Sequence, residues 1–215
     1  MIKKFLNILL STTIVLSPTM SSNPQVSSPR PLIPTQHVTK YMYGSKVDII
    51  KASATKLSAD VTLKGHRAGV NCSYFNMNTK KPVKINLYNR PFIIIKKDGT
   101  VKISDNKLDI VDEKQVLSGG SWLINENKSF KTEDHFTKDF RNVKVKRTCF
   151  GIDKEGNILL IVVSNANFNK CTKIMQDLKI EYGINLDGGT SSIMKYNGKI
   201  IVSSKRPVVD YLIVD

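Results

Sequence analysis

Residues 171–192 read CTKIMQDLKIEYGINLDGGTSS, and this stretch joins a helix pattern to an apolar run and a polar turn. The helix pattern is a single apolar stripe at helical spacing, formed by Cys171, Ile174, Met175, Leu178 and Tyr182. The residue types at its two ends suit caps, with Asn167 or Asn169 at the start and Gly183 at the end. The stretch therefore predicts a helix that is followed directly by a strand.

The strand predicted after this helix is the short apolar run from Ile184 to Leu186. It presents the carboxylate of Asp187 at its carboxyl end, next to Gly188, Gly189 and three hydroxyl residues. Glycines tolerate positive φ and let a ligand approach the backbone, and hydroxyl groups can bind it. Taken alone, Asp187 and its glycines are better explained as a hairpin turn than as a site.

The rest of the chain is dominated by strand patterns. Apolar runs at Val47–Ile50 and Phe92–Ile95 are typical of buried strands. Three hairpins are predicted from turn residues between such runs, at Lys97–Thr100, Asp153–Asn157 and Asn197–Gly198. Strands outnumber helices, so we predict one α+β domain with few helices around a mixed or antiparallel β-sheet core.

The N-terminus has the order of a secretory signal peptide, in which Lys3 and Lys4 precede an apolar stretch and then small polar residues. We therefore expect a signal peptide, or an uncleaved anchor, over residues 1–22. Residues 23–40 begin with a proline- and serine-rich stretch and are predicted to be a linker. Residues 41–215 are expected to form the domain. This order predicts a secreted or cell-envelope protein.

The chain is basic, with 33 lysines and arginines against 18 aspartates and glutamates and a formal net charge of +15. Such a balance favours anionic partners, including phosphorylated glycans and the anionic surface of a cell envelope. Neither zinc-finger spacing nor an aromatic RNA-binding pattern occurs, so no nucleic-acid partner is expected. The cysteines and histidines match no metal-site spacing, so we expect no cofactor, and a divalent cation is left open.

The three cysteines, Cys72, Cys149 and Cys171, are an odd number for an exported protein. One disulfide with one thiol and three buried thiols are both compatible with the sequence. The sole tryptophan, Trp122, could stack on a sugar face, although a single tryptophan is more often part of the core.

Four segments in the correct order resemble the phosphodiester glycosidase family. They are AGVNCSYF with the following TKKPV (68–83), LSGGSWL (117–123), RTCFGID (147–153) and NLDGGTSS (185–192). Each is weak alone, but together they cover roughly residues 65–214. The resemblance implies a hydrolase that removes a sugar joined through its anomeric carbon to a phosphodiester.

The resemblance also implies a set of site residues. Asp187 is expected to act as base or nucleophile, or to bind sugar hydroxyls. Arg147 and Arg206 are expected to hold the phosphate, because a guanidinium can bind two phosphate oxygens; a structural ion pair with Asp187 is the alternative for either arginine. The other substrate-binding candidates are Asn71, Gly119, Gly120, Thr148, Gly188, Gly189 and Ser191.

Three places depart from the family pattern. Cys72-Ser73 replaces a glycine pair, Asn76 stands where aspartate is frequent, and Ser164-Asn165 stands where Asp-Gly is common. The main hypothesis is an exported hydrolase that acts on sugar-1-phosphodiesters in an envelope or extracellular glycan. Two alternatives are considered beside it. One is a non-catalytic module that binds phosphorylated glycans on the same fold. The other is an envelope protein that binds polyanions through net charge alone.

Overall fold

The computed structural model describes residues 32–85, 89–126, 128–129 and 136–215. The predicted signal peptide and residues 23–31 of the predicted linker lie outside this part of the chain. The first strand begins at Gln36 and pairs with the next one. The sheet thus begins inside the segment predicted to be a linker, because residues 36–40 form backbone hydrogen bonds there. Within the described ranges, no helix is long and apolar enough to cross a membrane.

The described residues form fifteen strands and two α-helices. The strands, in chain order, are β1 (Gln36–Met42), β2 (Ser45–Ser53), β3 (Leu57–Asp60), β4 (Ala68–Asn71), β5 (Phe92–Lys96), β6 (Val101–Ser104), β7 (Glu113–Ser118), β8 (Trp122–Asn125), β9 (Lys128–Ser129), β10 (Val145–Asp153), β11 (Asn157–Ala166), β12 (Ile180–Asn185), β13 (Met194–Tyr196), β14 (Lys199–Val202) and β15 (Tyr211–Val214). The helices are α1 (Lys138–Asn142) and α2 (Phe168–Asp177).

These strands form three sheets, in which every paired strand of the described chain is antiparallel. The largest has the order β1-β2-β11-β10-β12-β8-β9, the second β14-β13-β4-β15-β3, and the third β6-β5-β7. The predicted sheet core with few helices is therefore present, and its sheets are antiparallel. The molecule is mainly β rather than an even mixture of helix and strand.

The large sheet is buried on both faces. Along β11, Leu159, Ile161 and Val163 pack in one apolar cluster with α2. The alternate residues Ile158, Leu160 and Val162 belong to the cluster that the large sheet shares with the two smaller sheets. This double burial explains why the strand is a continuous apolar run and not an alternation of apolar and polar residues.

All three predicted hairpins are confirmed by strand pairing. The turns connect β5 to β6, β10 to β11, and β13 to β14. In the last turn Asn197 and Gly198 have φ values of +46° and +78°. Two consecutive positive φ angles match the twist of the flanking strands, which is why Asn-Gly is the strongest hairpin signal in the sequence.

The helix prediction is right at its start and wrong at its end. The side chain of Asn167 caps α2 by accepting a hydrogen bond from the Lys170 N–H at 2.9 Å. The helix stops at Asp177, and both Tyr182 and Gly183 lie in β12. Gly183 is not a cap: a Cβ there would lie 2.8 Å from Met175 Cε, so the glycine lets α2 pack closely on the sheet.

Candidate functional site

Asp187 lies where the large sheet meets the five-stranded sheet, two residues beyond the end of β12. Its N–H donates to Cys72 O at 3.0 Å, just after β4. Its carbonyl accepts a hydrogen bond of 2.6 Å from Asn71 Nδ2. The backbone of Asp187 is thereby fixed by a segment more than a hundred residues away in sequence, and its carboxylate is held in a set position.

The Asp187 carboxylate is buried and paired with Arg206. Only 4% of the residue is exposed. Arg206 Nη2 lies 3.0 Å from Oδ2 and 3.3 Å from Oδ1, and the Gly188 N–H donates to Oδ1 at 3.0 Å. Arg206 also donates through Nε to the Ser191 hydroxyl. Of the two predicted roles for Arg206, the ion pair with Asp187 is therefore the one seen directly.

Burial sets the proton affinity of this carboxylate. Removal from water raises the pKa of Asp187 above its ordinary value, while Ser191, Arg206 and the Gly188 N–H act in the opposite direction. A carboxylate with a raised pKa is a stronger base than one in water, and it remains within reach of a positive charge. This combination suits a group that takes up a proton during a reaction.

Asn71 and Thr148 form a buried polar network beneath the turn. Thr148 Oγ1 donates to Asn71 Oδ1 at 2.9 Å and lies 3.1 Å from Ser192 Oγ. The Ile193 N–H also donates to Asn71 Oδ1, at 3.0 Å. Asn71 and Thr148 are fully buried, so both act on the shape of the Asp187 turn and neither presents its side chain to solvent.

The glycines predicted to bind substrate fall into two groups. Gly119 and Gly120 are buried, and their N–H groups donate to Pro91 O at 2.9 Å and Asn185 O at 2.8 Å. A Cβ at either position would come within 2.7 Å of those same carbonyls. Gly188 and Gly189 are partly exposed, and Gly189 has a φ of +64°. Only the second pair presents backbone beside Asp187.

Arg147 lies next to the turn, but its guanidinium points elsewhere. A Cβ at Gly188 would lie 3.7 Å from Arg147 Cδ. Its Nη2 donates to Phe140 O at 2.7 Å and Val143 O at 3.0 Å, and its Nε donates to Ala166 O at 3.3 Å. The residue is 1% exposed. These contacts connect the α1 segment to β11. The Arg147 guanidinium thus binds buried backbone carbonyls, whereas a phosphate-binding role was predicted for it.

Tyr74, which is close enough to Asp187 to be affected by its charge, and Arg90, which packs on the Tyr74 ring, were not identified from the sequence as site candidates. The Tyr74 hydroxyl accepts a 2.8 Å hydrogen bond from Asn185 Nδ2, and burial and the Asp187 charge raise the pKa of this phenol. Arg90 lies 3.9 Å from the centre of the Phe136 ring and 5.6 Å from that of Tyr74. Tyr74 follows Asn71 in a family-like segment, which was a usable signal; Arg90 stands in no such segment.

An aromatic ring also lies under Arg206. Its guanidinium carbon is 5.1 Å from the centre of the Phe75 ring, and its Nη1 contacts Met77 Sδ at 3.5 Å. The Arg206 side chain is 30% exposed. One side of the guanidinium therefore binds Asp187 while solvent can still reach part of the group.

The departures from the family pattern have structural roles. Cys72 and Ser73 are buried at 0% and 1% exposure, so their side chains do not cover the exposed part of the site. Asn76 caps a turn by accepting hydrogen bonds from the N–H groups of Asn78 and Thr79, both at 2.9 Å. Ser164 Oγ accepts a hydrogen bond from the Lys46 N–H at 2.9 Å. The neutral residues at these positions thus stabilise local backbone.

The cysteines and the tryptophan belong to the interior. Cys72, Cys149 and Cys171 are free and buried, so the structure has three buried thiols and no disulfide among them. Trp122 is 2% exposed and its indole N–H donates to Asp105 Oδ2 at 3.0 Å, which excludes stacking on a sugar. Among the residues described, no group of three or more His, Cys, Asp or Glu could hold a metal ion.

The described residues form a β-rich domain in which the buried Asp187–Arg206 pair lies at the turn after β12. A model of the phosphodiester glycosidase family matches residues 64–215, and the chain belongs to that family. No curated protein matches the sequence significantly.

Solved structures share the fold. The catalytic domain of zebrafish N-acetylglucosamine-1-phosphodiester alpha-N-acetylglucosaminidase, auto-inhibited by its pro-peptide, aligns with a TM-score of 0.68 at 19% identity and covers 89% of this chain and 87% of that one. A hypothetical protein from Synechocystis aligns at 0.64 and 13% identity, over 84% of this chain and 61% of its own. A Burkholderia pseudomallei K96243 protein inferred to be exported aligns at 0.52 and 10% identity, over 79% and 74%.

Proposed function

We propose that this protein is an exported hydrolase that cleaves the C1–O bond of a sugar-1-phosphodiester in an envelope or extracellular glycan. The observation that carries the proposal is the buried Asp187–Arg206 pair at the NLDGGTSS turn, one of the segments that resemble the family. The family match over residues 64–215 supports the reaction class. The signal-like N-terminus and the net charge of +15 support export and an anionic partner.

Asp187 acts as the general base in this proposal. It takes a proton from a water molecule whose oxygen attacks C1, the C1–O bond breaks, and the electron pair leaves with the phosphate monoester. A phosphate monoester is a weaker base than a sugar alkoxide, so this leaving group needs no second carboxyl group to protonate it. The partly exposed face of Arg206 binds the phosphate and separates its charge from that of Asp187.

The Asp187→Asn variant tests this assignment. Asparagine keeps the size of the side chain but cannot accept the proton, so we expect release of free sugar to fall by at least about a hundredfold. The assay would use synthetic sugar-1-phosphodiesters, beginning with N-acetylglucosamine-1-phosphodiesters because the zebrafish enzyme is named for them. Turnover equal to that of the wild type would remove Asp187 from the mechanism.

Asp153→Asn is a matched control for that variant. Asp153 is also 4% exposed and forms an ion pair, with Lys51 at 2.6 Å, but it lies in the β10–β11 hairpin region. We expect its turnover to stay near the wild-type value. An equal loss of activity in both variants would point to general destabilisation.

The non-catalytic binding module is the second candidate function. This hypothesis rests on the departures from the family pattern at Cys72-Ser73, Asn76 and Ser164-Asn165. The burial of the first pair and the backbone hydrogen bonds of Asn76 and Ser164 argue against it, because they give these residues structural roles. Saturable binding of a phosphorylated glycan without any product after long incubation would favour the module over the hydrolase.

A further inference from the structure

The segment 203–206 lies along the turn that carries Asp187. The Lys205 N–H donates to Thr190 O at 2.8 Å, which fixes the segment against the turn. The next residue, Arg206, is the ion-pair partner of Asp187. Lys205 itself is exposed. A second positive charge therefore lies beside Arg206 at the edge of the site.

Lys146 brings a third positive charge to the same place from the start of β10. Its Nζ donates to Ser203 O at 2.7 Å, two residues before Lys205. Its own carbonyl oxygen lies next to the turn, because a Cβ at Gly188 would be 3.0 Å from it. Partial removal from water and the positive charge of Lys205 both lower the pKa of Lys146. The two ammonium groups are thus close enough to repel each other.

The charges of these two lysines are not balanced by the protein. In the part of the chain that the structure describes, no carboxylate forms an ion pair with Lys146 or Lys205. The nearby Asp187 is already paired with Arg206. Like charges that are held close together repel, and an anion bound between them removes this repulsion. The arrangement therefore suits an anionic group placed beside the Asp187–Arg206 pair.

We propose that Lys146 and Lys205 bind a second anionic group of the substrate, next to the phosphodiester that Arg206 holds. This role rests on the proposed function and narrows its substrate to a glycan in which phosphodiesters repeat along the chain. Lysine suits the role, because its ammonium group binds phosphate oxygens as a point charge on a flexible stem. A glycan with a single phosphodiester then binds less tightly than one with several.

Two non-hydrolysable ligands test this role by isothermal titration calorimetry with the full chain. In each, two N-acetylglucosamine units are joined by a C1-phosphonate, in which a CH2 group replaces the C1 oxygen, and the second unit carries a further C1-phosphonate. This terminal group is a singly charged methyl ester in one ligand and a neutral dimethyl ester in the other. We expect the dianionic ligand to bind about fivefold or more tightly at low ionic strength, the order for two exposed charge pairs. In about 0.5 M salt the affinity ratio should fall toward one.

A double variant assigns this affinity ratio to the two lysines. Lys146→Gln/Lys205→Gln should bind both ligands about equally. Its affinity for the ligand with the neutral end should stay near the wild-type value, which shows that the Asp187 site is intact. Lys40→Gln/Lys97→Gln is the matched control, because it removes two charges from exposed positions on β1 and between β5 and β6. The control should keep the wild-type ratio.

Equal affinity of the wild type for the two ligands, or no measurable binding of either, would overturn the second anionic site. So would a ratio that survives in Lys146→Gln/Lys205→Gln. An equal fall in both double variants would overturn it as well, because net charge alone would then explain the binding. The proposed function is tested separately with hydrolysable diesters. If these release no sugar, the hydrolase proposal is wrong, whereas the affinity ratio still decides whether Lys146 and Lys205 bind an anion.

Discussion

Replacing Arg206 with glutamine should destabilise the protein through Asp187. The substitution removes the charge that lies 3.0 Å from a carboxylate of which only 6% of the side chain is exposed. Breaking a fully buried ion pair costs about 3–5 kcal/mol. Because the Arg206 side chain is 30% exposed, part of its interaction is screened by water, and we expect a loss of about 1–3 kcal/mol in the free energy of unfolding at pH 7.

The pH dependence of this loss is a sharper test. The pKa of Asp187 is already raised by burial, and Arg206 lowers it, so Arg206→Gln raises it further. A carboxyl group whose folded pKa exceeds its unfolded pKa destabilises the folded protein once the pH is above the unfolded value, near 3.8. The stability difference between wild type and variant should therefore be small near pH 4 and grow as the pH rises toward 7.

Urea denaturation at several pH values would measure this difference. Lys205→Gln is the control, because it removes the neighbouring positive charge while the Lys205 backbone N–H still donates to Thr190 O. In an Asp187→Asn background, Arg206→Gln should lose most of its effect, since the buried charge is then absent. A deficit that stays constant from pH 4 to 7, or that persists in the Asp187→Asn background, would refute the reasoning.

Two further predictions concern residues outside that pair. Arg147→Met removes the guanidinium that donates to the Phe140, Val143 and Ala166 carbonyls. We therefore expect the free energy of unfolding, measured by urea denaturation, to fall by about 3 kcal/mol or more. Wild-type stability would contradict the structural role of Arg147. His66 bridges Asp60 and Asp215 at 3.0 and 2.7 Å, which raises the pKa of its imidazole above 6.5; the stability it contributes is present below pH 6.5 and is lost as the pH rises through its folded pKa. His66→Gln should therefore have a larger stability deficit near pH 5.5 than near pH 9, and a deficit independent of pH would exclude the ionic bridge.

The sequence predicted the local elements well where short-range rules decide them. The Asn197-Gly198 hairpin follows from the backbone freedom of those two residues. The Asn167 cap and the apolar stripe of α2 follow from helix geometry. The end of α2 was missed because Tyr182 and Gly183 fit the helical period but are used by β12, whose pairing with β10 is a long-range interaction.

The sequence by itself determined the family and the position of the acidic turn. Its four ordered segments carried the resemblance, and Asp187 was singled out from its glycine and hydroxyl neighbours. Which arginine joins Asp187 was decided only by the tertiary structure. As residue types, Arg147 and Arg206 are equally plausible partners for a carboxylate. In the structure, β10 directs Arg147 to buried carbonyls, and the loop before β15 brings Arg206 to the carboxylate of Asp187. The same long-range packing brings Asp60, Leu117 and Asp210, which are distant in sequence, to the wall of one cavity.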